Sequence, residues 1–130
     1  MALAYTGDEN TNDIVIQPAS YSDNFVTAKY VPNPIRFYDP PSWVLSSCVE
    51  TAKYILGKQG EKWGNAADIE PMPGLEPEVG LVIIFDNHIA VIIKLNSETM
   101  IIDEGNWEPG QRTQREIRFD DPEIKGYRRY

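Results

Sequence analysis

The stretch that decides the fold is PPSWVLSSCVETAKYILG, which spans residues 40–57 and holds the only cysteine in the chain. Ser47 and Glu50 have the Ser-x-x-Glu spacing of a capping box, in which the serine hydroxyl accepts a hydrogen bond from the glutamate N–H. Gly57 can take the left-handed conformation that ends a helix. The apolar stripe between these ends consists of Cys48, Ala52, Ile55 and Leu56. The pattern predicts a short helix that begins at Cys48.

Cys48 therefore has two interpretations. A thiol on the first helical residue lies at the positive end of the helix dipole, which favours the thiolate and lowers the thiol pKa. That is the environment of a nucleophilic cysteine. The alternative is that Cys48 is a small buried side chain that packs in the core and does not react, which is the more common role of a lone cysteine. The choice depends on which groups the rest of the chain brings beside the thiol.

Composition limits the classes of protein to consider. With 130 residues, of which 42% are hydrophobic and 25% charged, the chain is expected to form one domain with a core. It has no run near the roughly 20 apolar residues of a membrane span, and its first residues lack the features of a signal peptide. One cysteine excludes an internal disulfide. With a single histidine besides, neither a metal site nor another cofactor is expected.

The net charge of -8 bears on the partners. There is no excess of lysine and arginine to displace counterions, which argues against nucleic acid. The same charge argues against electrostatic capture by an anionic wall or membrane. The bases are concentrated in the last nineteen residues, where they are interpreted as a solvent-exposed face: Arg112, Arg115, Arg118, Lys125, Arg128 and Arg129.

The second half of the chain predicts an antiparallel sheet. Residues 81–85 and 89–93 are nearly continuous apolar runs rich in β-branched side chains, as in strands covered on both faces. Asp86 and Asn87 between them suit a tight hairpin because both tolerate positive φ. Three further strands are predicted over residues 99–104, 115–119 and 124–128. The order predicts an α+β fold in which the N-terminal helix packs on an antiparallel meander of about five strands.

Residues 1–40 are predicted to form an N-terminal arm ahead of a domain that spans residues 41–130. Two short strands are predicted in the arm, at residues 13–17 and 25–31. The four prolines of residues 32–41 exclude helix and central strand, so this segment is expected to be extended and to pack its aromatic side chains on the domain. The arm either covers a cleft or is a plain structural extension.

His88, the only histidine, stands at the start of the second strand, on the face of Ala90 and Ile92 if alternation holds. On the third strand alternation puts Glu104 and Asn106 on one face, and Asp103, Gly105 and Trp107 on the other. An acid or amide beside a histidine fixes its tautomer and leaves the second ring nitrogen for a thiol. The pattern indicates a nucleophile, a base and an orienting group. The alternative is an exposed turn histidine and a polar strand end.

These residues, taken in order, resemble the CHAP domain, the cysteine, histidine-dependent amidohydrolase/peptidase family. The resemblance covers residues 43–127 and includes Cys48 at a helix start, Trp63-Gly64-Asn65-Ala66, Pro77-Glu78-Val79-Gly80, His88-Ile89-Ala90-Val91-Ile92, Glu104-Gly105-Asn106-Trp107 and Gly126-Tyr127. It implies a papain-like fold close to the NlpC type. It also implies cleavage of peptidoglycan, by an N-acetylmuramoyl-L-alanine amidase or by a crosslink endopeptidase.

The resemblance assigns roles by position: Cys48 as nucleophile, His88 as base, and Glu104 as orienter with Asn106 beside it. The residues that would contact substrate are Trp63, Asn65 and Trp107, with core packing as the alternative for Trp63. The sequence departs from the family at Ser46-Ser47, where Gly-Gln is frequent, and at Leu81, where an aspartate is common. Asp39 is the only acid in the fifteen residues before Cys48, so no calcium is expected.

The function expected from the resemblance is a phage-encoded or virion-associated lysin. It would be made in the bacterial cytoplasm and act at the cell wall or be carried in a virion. Its partners would be a peptidoglycan stem peptide or muropeptide and a structural protein of the phage, and it is expected to be monomeric. Two alternatives stay open: a papain-like protease of protein or isopeptide bonds, and an inactive CHAP-derived structural module of a phage particle. The complete set of site residues argues against inactivity.

Overall fold

The computed structural model describes residues 35–130, so the strands predicted at 13–17 and 25–31, and most of the predicted arm, lie outside it. The described part is α+β, with one short helix and one five-stranded antiparallel sheet, as predicted. No helix within this range is long and apolar enough to cross a membrane. The elements are α1 (Cys48–Ile55), β1 (Val82–Ile84), β2 (Ile89–Leu95), β3 (Thr99–Gly105), β4 (Arg112–Arg118) and β5 (Gly126–Arg128).

Helix α1 has the predicted ends. The Ser47 hydroxyl accepts a hydrogen bond from the Glu50 N–H at 3.1 Å, which makes Cys48 the first helical residue. Gly57 has a φ of 71°, the left-handed conformation predicted for it. In a full capping box the Glu50 carboxylate would also accept a hydrogen bond from the Ser47 N–H. Here the Ser47 N–H donates to the Val44 carbonyl, and the Glu50 carboxylate pairs with Lys53 at 3.0 Å.

The sheet has the strand order β4-β3-β2-β1-β5. Strands β1 to β4 form the predicted meander, but β5 does not continue beside β4; it crosses to the far edge and pairs with β1. The prediction of a simple meander was therefore wrong for the last strand. Strand β1 consists of three buried apolar residues, and pairing with β5 covers an edge that would otherwise expose unpaired backbone groups.

The β1–β2 hairpin is tight, as predicted, and it determines where His88 lies. The Phe85 N–H donates to the His88 carbonyl at 2.8 Å, and Asp86 and Asn87 form the turn between them. Neither turn residue takes positive φ; among residues 35–130 the only non-glycine residue that does so is Asn106. His88 is thus held by the hairpin one position ahead of β2, opposite Phe85.

Both faces of the sheet are covered, as the apolar runs predicted. Helix α1 packs on one face, where Ala52 and Ile55 meet Ile89, Val91 and Ile93. The opposite face carries a second cluster made of Leu81, Ile83, Phe85, Ala90, Ile92, Met100, Ile102 and Ile117. Side chains at alternate positions of β2 are therefore buried in different clusters, which explains why this strand contains an unbroken apolar run.

The start of α1 is held against the end of β3 by a glycine. A Cβ atom on Gly105 would overlap the side chain of Thr51, so only a residue without a side chain permits this approach. Thr51 is itself fully buried and its hydroxyl donates to the Val44 carbonyl at 2.9 Å. Because Thr51 lies one turn after Cys48, the contact fixes the helix start relative to Glu104, which precedes Gly105 on β3.

Arg112 joins the described end of the arm to the sheet. Its Nε and Nη2 atoms donate to the Asp103 carboxylate at 3.0 and 2.7 Å. Its Nη2 and Nη1 atoms also donate to the carbonyls of Arg36 and Tyr38, at 2.6 and 3.0 Å. The side chains of Arg112 and Asp103 are both buried. The interpretation of Arg112 as part of a solvent-exposed face was therefore wrong, because a carboxylate on the facing strand and two backbone carbonyls satisfy its charge.

Candidate active site

The thiol of Cys48 and the ring of His88, predicted as nucleophile and base, are near enough that hydrogen bonding and charge in each side chain shift the pKa of the other. Cys48 comes from the first position of α1, and His88 from the hairpin that precedes β2. The N–H of Ile89, the first residue of β2, donates a further hydrogen bond to the thiol. Cys48 is partly buried, with its side chain against the α1 cluster of the core.

The carboxylate of Glu104 completes a chain of three groups. Its Oε1 atom lies 2.8 Å from Nε2 of His88. Only 12% of the His88 side chain and none of the Glu104 side chain is exposed, so neither is an exposed turn or strand-end residue. Because Glu104 engages Nε2, Nδ1 is the ring nitrogen left for Cys48. The predicted order of thiol, imidazole and carboxylate is thus present in space.

The contacts shift the pKa values of the thiol and the imidazole in opposite directions. Burial raises the pKa of the Cys48 thiol, but the hydrogen bonds from His88 and the Ile89 N–H outweigh burial and hold the pKa below its usual range. Burial lowers the pKa of His88, but hydrogen bonds to Cys48 and Glu104 outweigh it and raise the pKa to about 9. Both shifts favour a thiolate–imidazolium pair near neutral pH.

Arg115 is the residue of this site that the sequence analysis did not assign to it. Its Nε lies 2.5 Å from Oε2 of Glu104, and its Nη2 lies 3.2 Å from Oε1. Burial raises the pKa of the Glu104 carboxyl, but the hydrogen bonds from His88 and Arg115 outweigh burial and keep the pKa low. Arg115 had been counted with the solvent-exposed bases, which was wrong.

The alternation of side chains along β4 can be read from the sequence. It indicates a contact between Arg115 and Glu104 only when the register of β4 against β3 is known. Side chains at residues 113, 115 and 117 share one face of β4. In the β3–β4 ladder Glu104 is opposite Thr113, and Ile102 is opposite Arg115. A diagonal neighbour across two antiparallel strands is within reach of a long side chain. Arg115 therefore meets Glu104 only in this register.

Asn106 and Trp107 lie where alternation along β3 did not predict them. The strand ends at Gly105, and Asn106 turns the chain with a φ of 63°. The Asn106 side chain is used inside the loop, where its Oδ1 accepts from the Gly110 N–H at 2.9 Å. Trp107, predicted to point away from Glu104, instead has its ring centre 5.4 Å from that of His88. The structure thus places Trp107 in the site and Asn106 in the loop that follows β3.

The remaining two predicted substrate contacts, Trp63 and Asn65, have other surroundings. Trp63 stacks on Tyr130, with ring centres 3.6 Å apart, and its indole N–H donates to Glu61 at 2.9 Å. It also packs against the core, as the alternative interpretation of this residue expected. Asn65 is exposed at the start of a short 3-10 turn and makes no side-chain cap there. Neither residue joins the hydrogen-bonded chain.

No family model, curated protein or solved structure matches this chain. In the part of the chain that the structure describes, no group of three or more histidine, cysteine or acidic side chains is arranged to hold a metal ion. The groups that the structure brings together here are a thiol whose pKa is lowered, an imidazole whose pKa is raised to about 9, and a carboxylate hydrogen-bonded to the imidazole.

His88 should titrate far above the ordinary histidine range. Because its pKa is raised to about 9, the ring should keep its proton at neutral pH and lose it only in alkaline solution. As the only histidine, His88 gives a single set of ring signals, so its titration can be followed directly by NMR. In Cys48→Ala the midpoint should fall, because the hydrogen bond and negative charge of the thiolate are gone. A wild-type midpoint near the usual value of about 6.5, unchanged in Cys48→Ala, would show that the two groups do not interact.

Proposed function

We propose that this chain is a cysteine hydrolase of amide bonds, with Cys48 as nucleophile, His88 as acid and base, and Glu104 as the group that orients His88. The observation that carries the proposal is the 2.8 Å hydrogen bond between His88 and Glu104, with the Cys48 thiol beside the same imidazole and its pKa lowered by it. A nucleophile, a base in contact with it, and a third group holding the base are the parts needed for covalent catalysis.

The first half of the reaction is acyl transfer to the enzyme. The Cys48 thiolate attacks the carbonyl carbon of the amide and a tetrahedral oxyanion forms. The Cys48 N–H stands at the start of α1, where backbone N–H groups have no partner within the helix, and it is a donor that could turn to this oxyanion. The His88 imidazolium then gives its proton to the leaving nitrogen. The C–N bond breaks, the amine departs, and the acyl group stays on Cys48 as a thioester.

The second half is hydrolysis of the thioester. His88, now neutral, takes a proton from a water molecule whose oxygen attacks the acyl carbon. The C–S bond breaks, the acid leaves, and the proton held by His88 restores the thiolate–imidazolium pair. Glu104 accepts from Nε2 throughout, so that the other ring nitrogen stays directed at the thiol and the leaving group. The buried carboxylate holds the ring without changing its own protonation.

The substrate we propose is bacterial peptidoglycan, cleaved at the N-acetylmuramoyl-L-alanine bond or at a peptide crosslink by a phage-encoded or virion-associated enzyme. This follows from the resemblance of residues 43–127 to the CHAP domain, and the helix-first α+β fold is the arrangement expected of a papain-like enzyme. Trp107, 46% exposed beside His88, provides an apolar surface for a peptide at the site. The net charge of -8 disfavours an anionic polymer, which keeps a protease of proteins or isopeptides as the second candidate.

Incubation with purified peptidoglycan and mass analysis of the released fragments tests the proposal. An amidase releases whole stem peptides with a free N-terminal alanine, whereas an endopeptidase releases muropeptides cut at the crosslink. Parallel incubation with unfolded proteins and isopeptide-linked peptides tests the second candidate. Cys48→Ala is the control in each incubation. Absence of any product that depends on Cys48, from wall or protein, would contradict the proposed activity and favour the inactive structural module.

Glu104 should affect turnover much more than substrate binding. Glu104→Gln keeps an oxygen that can accept from His88 but loses the charge, and Glu104→Ala loses both. We expect kcat to fall modestly in the first variant and by about a hundredfold or more in the second, with KM little changed, because Glu104 acts on His88 and does not touch substrate.

The matched control for this prediction is Glu98→Gln, which removes the same charge at a position 73% exposed. It should leave both kinetic constants unchanged. If Glu104→Ala instead raised KM and left kcat intact, Glu104 would belong to substrate binding and would not orient the histidine.

A further inference from the structure

Arg115 is fixed beside the catalytic chain by contacts on three sides. Its guanidinium donates to both oxygens of Glu104, at 2.5 and 3.2 Å. It lies 3.8 Å over the ring of Trp107 and 5.9 Å from the ring centre of Phe85. A guanidinium that is held by a two-pronged carboxylate pair and stacked on an aromatic ring has little freedom to move.

The charges of the catalytic chain do not balance without this guanidinium. A reactive Cys48 is an anion, His88 is then a cation, and Glu104 is a fully buried anion. These three groups carry one net negative charge in a partly buried site. Arg115 supplies the fourth charge and makes the sum zero. Without it, the least costly way to restore neutrality would be to put a proton back on Cys48, because the imidazolium–carboxylate pair stays satisfied.

We propose that Arg115 is a positioning residue that keeps Cys48 in its reactive thiolate form. It does so by holding the Glu104 carboxylate against His88 and by balancing the summed charge of Cys48, His88 and Glu104. The inference rests on the proposed thiol chemistry and deepens it. Arg115 acts through Glu104 and His88 and does not contact the thiol in the structure.

The other charged groups near these elements are paired among themselves. On α1, Glu50 pairs with Lys53. In the hairpin before β2, Asp86 lies 3.8 Å from Lys125. On β3, Asp103 faces the opposite side of the sheet and is neutralised by Arg112. The Thr113 hydroxyl, 3.4 Å from Glu104, adds an uncharged donor. Arg115 is accordingly the cation that balances the negative charge of the Glu104 carboxylate.

The pH dependence of Cys48 alkylation by iodoacetamide measures this directly, because the chain has one cysteine and the reaction needs no substrate. In Arg115→Gln the midpoint of the rate profile should rise by about one pH unit, so that the rate falls on the order of tenfold at pH values below the wild-type midpoint. Arg115→Lys retains the charge and should recover most of the loss. The plateau rate at high pH, which reports access to the thiol, should be unchanged.

Arg118→Gln is the matched control. It makes the same change of charge on the same strand, but Arg118 is 59% exposed and pairs with Asp120. Its alkylation profile should superimpose on that of the wild type. If Arg115→Gln does not fold, Glu104→Gln is compared with Glu104→Gln/Arg115→Gln, where no buried carboxylate is left unpaired. In this background the charges of Cys48 and His88 balance each other and no carboxylate is left for Arg115 to hold, so loss of Arg115 should leave the midpoint unchanged.

Each result is decisive. A midpoint that does not move in Arg115→Gln, or one that rises by about one pH unit when Arg115 is lost from the Glu104→Gln background, overturns the inference while leaving the wild-type thiolate and the proposed hydrolase intact. A wild-type Cys48 with the profile of an ordinary thiol overturns the inference and the proposed thiolate mechanism together. Failure to cleave peptidoglycan, with the expected alkylation profiles, refutes the substrate and leaves the role of Arg115 supported.

Discussion

Cys48→Ala should fold normally and lose hydrolysis by on the order of 10⁴-fold or more. The loss follows because the chain has no second thiol, so that no acyl-enzyme can form and the reaction cannot be divided into two easier steps. The fold should tolerate the change, since alanine is a good helix former and Cys48 is a partly buried side chain at the edge of the core. Fragment release from substrate and a thermal melt measure the two halves of this prediction.

Cys48→Ser is the companion variant. It keeps a side chain of similar size that can hydrogen-bond with His88, but a hydroxyl beside imidazole is a far weaker nucleophile than a thiolate. It should be folded and nearly as inactive as Cys48→Ala. Substantial hydrolysis by the alanine variant would move the nucleophile elsewhere and return Cys48 to a packing role.

Asp103→Ala should lower the free energy of unfolding by about 3–5 kcal/mol, because it leaves the buried guanidinium of Arg112 without its counterion. The pair is close, with 2.7 Å between Nη2 and Oδ2, and both side chains are buried. Asp103 lies on the opposite face of β3 from Glu104. The loss should therefore appear in urea denaturation, while kcat per folded molecule should stay near that of the wild type.

Two variants test whether the effect comes from the unpaired charge. Asp103→Ala/Arg112→Met removes both charges and should be more stable than Asp103→Ala alone. Asp120→Ala breaks an ion pair of similar length, 2.9 Å from Arg118, but at the surface; it should not change stability measurably. If Asp103→Ala reduced kcat and left stability unchanged, the separation of the two faces of β3 would be wrong.

The parts of the structure that the sequence predicted are those governed by local rules. Capping by Ser47 and the left-handed Gly57 define the ends of α1, because both depend only on residues within one turn. The apolar runs on both sides of Asp86-Asn87 predict β1 and β2 for the same reason. The roles of Cys48, His88 and Glu104 could be proposed because each stands at the end of an element, and ends of neighbouring elements meet.

The parts that only the tertiary structure decided depend on which strands are neighbours and in what register. Alternation assigns a side chain to a face of its own strand, but it does not say what the next strand places there. Arg112 and Arg115 are three residues apart and were both assigned to the surface. In the β3–β4 register they reach Asp103 and Glu104 on opposite faces of the sheet.

The exchange of Asn106 and Trp107 has the same physical origin. Alternation holds only while the backbone stays extended, and the left-handed Asn106 ends it immediately after Gly105. The pairing of β5 with β1 likewise depends on an open sheet edge far away in sequence. The sequence by itself determined the elements and the three groups of the proposed chemistry. The tertiary structure decided which charges hold those groups in place, because ion pairs across strands require a register that no local pattern specifies.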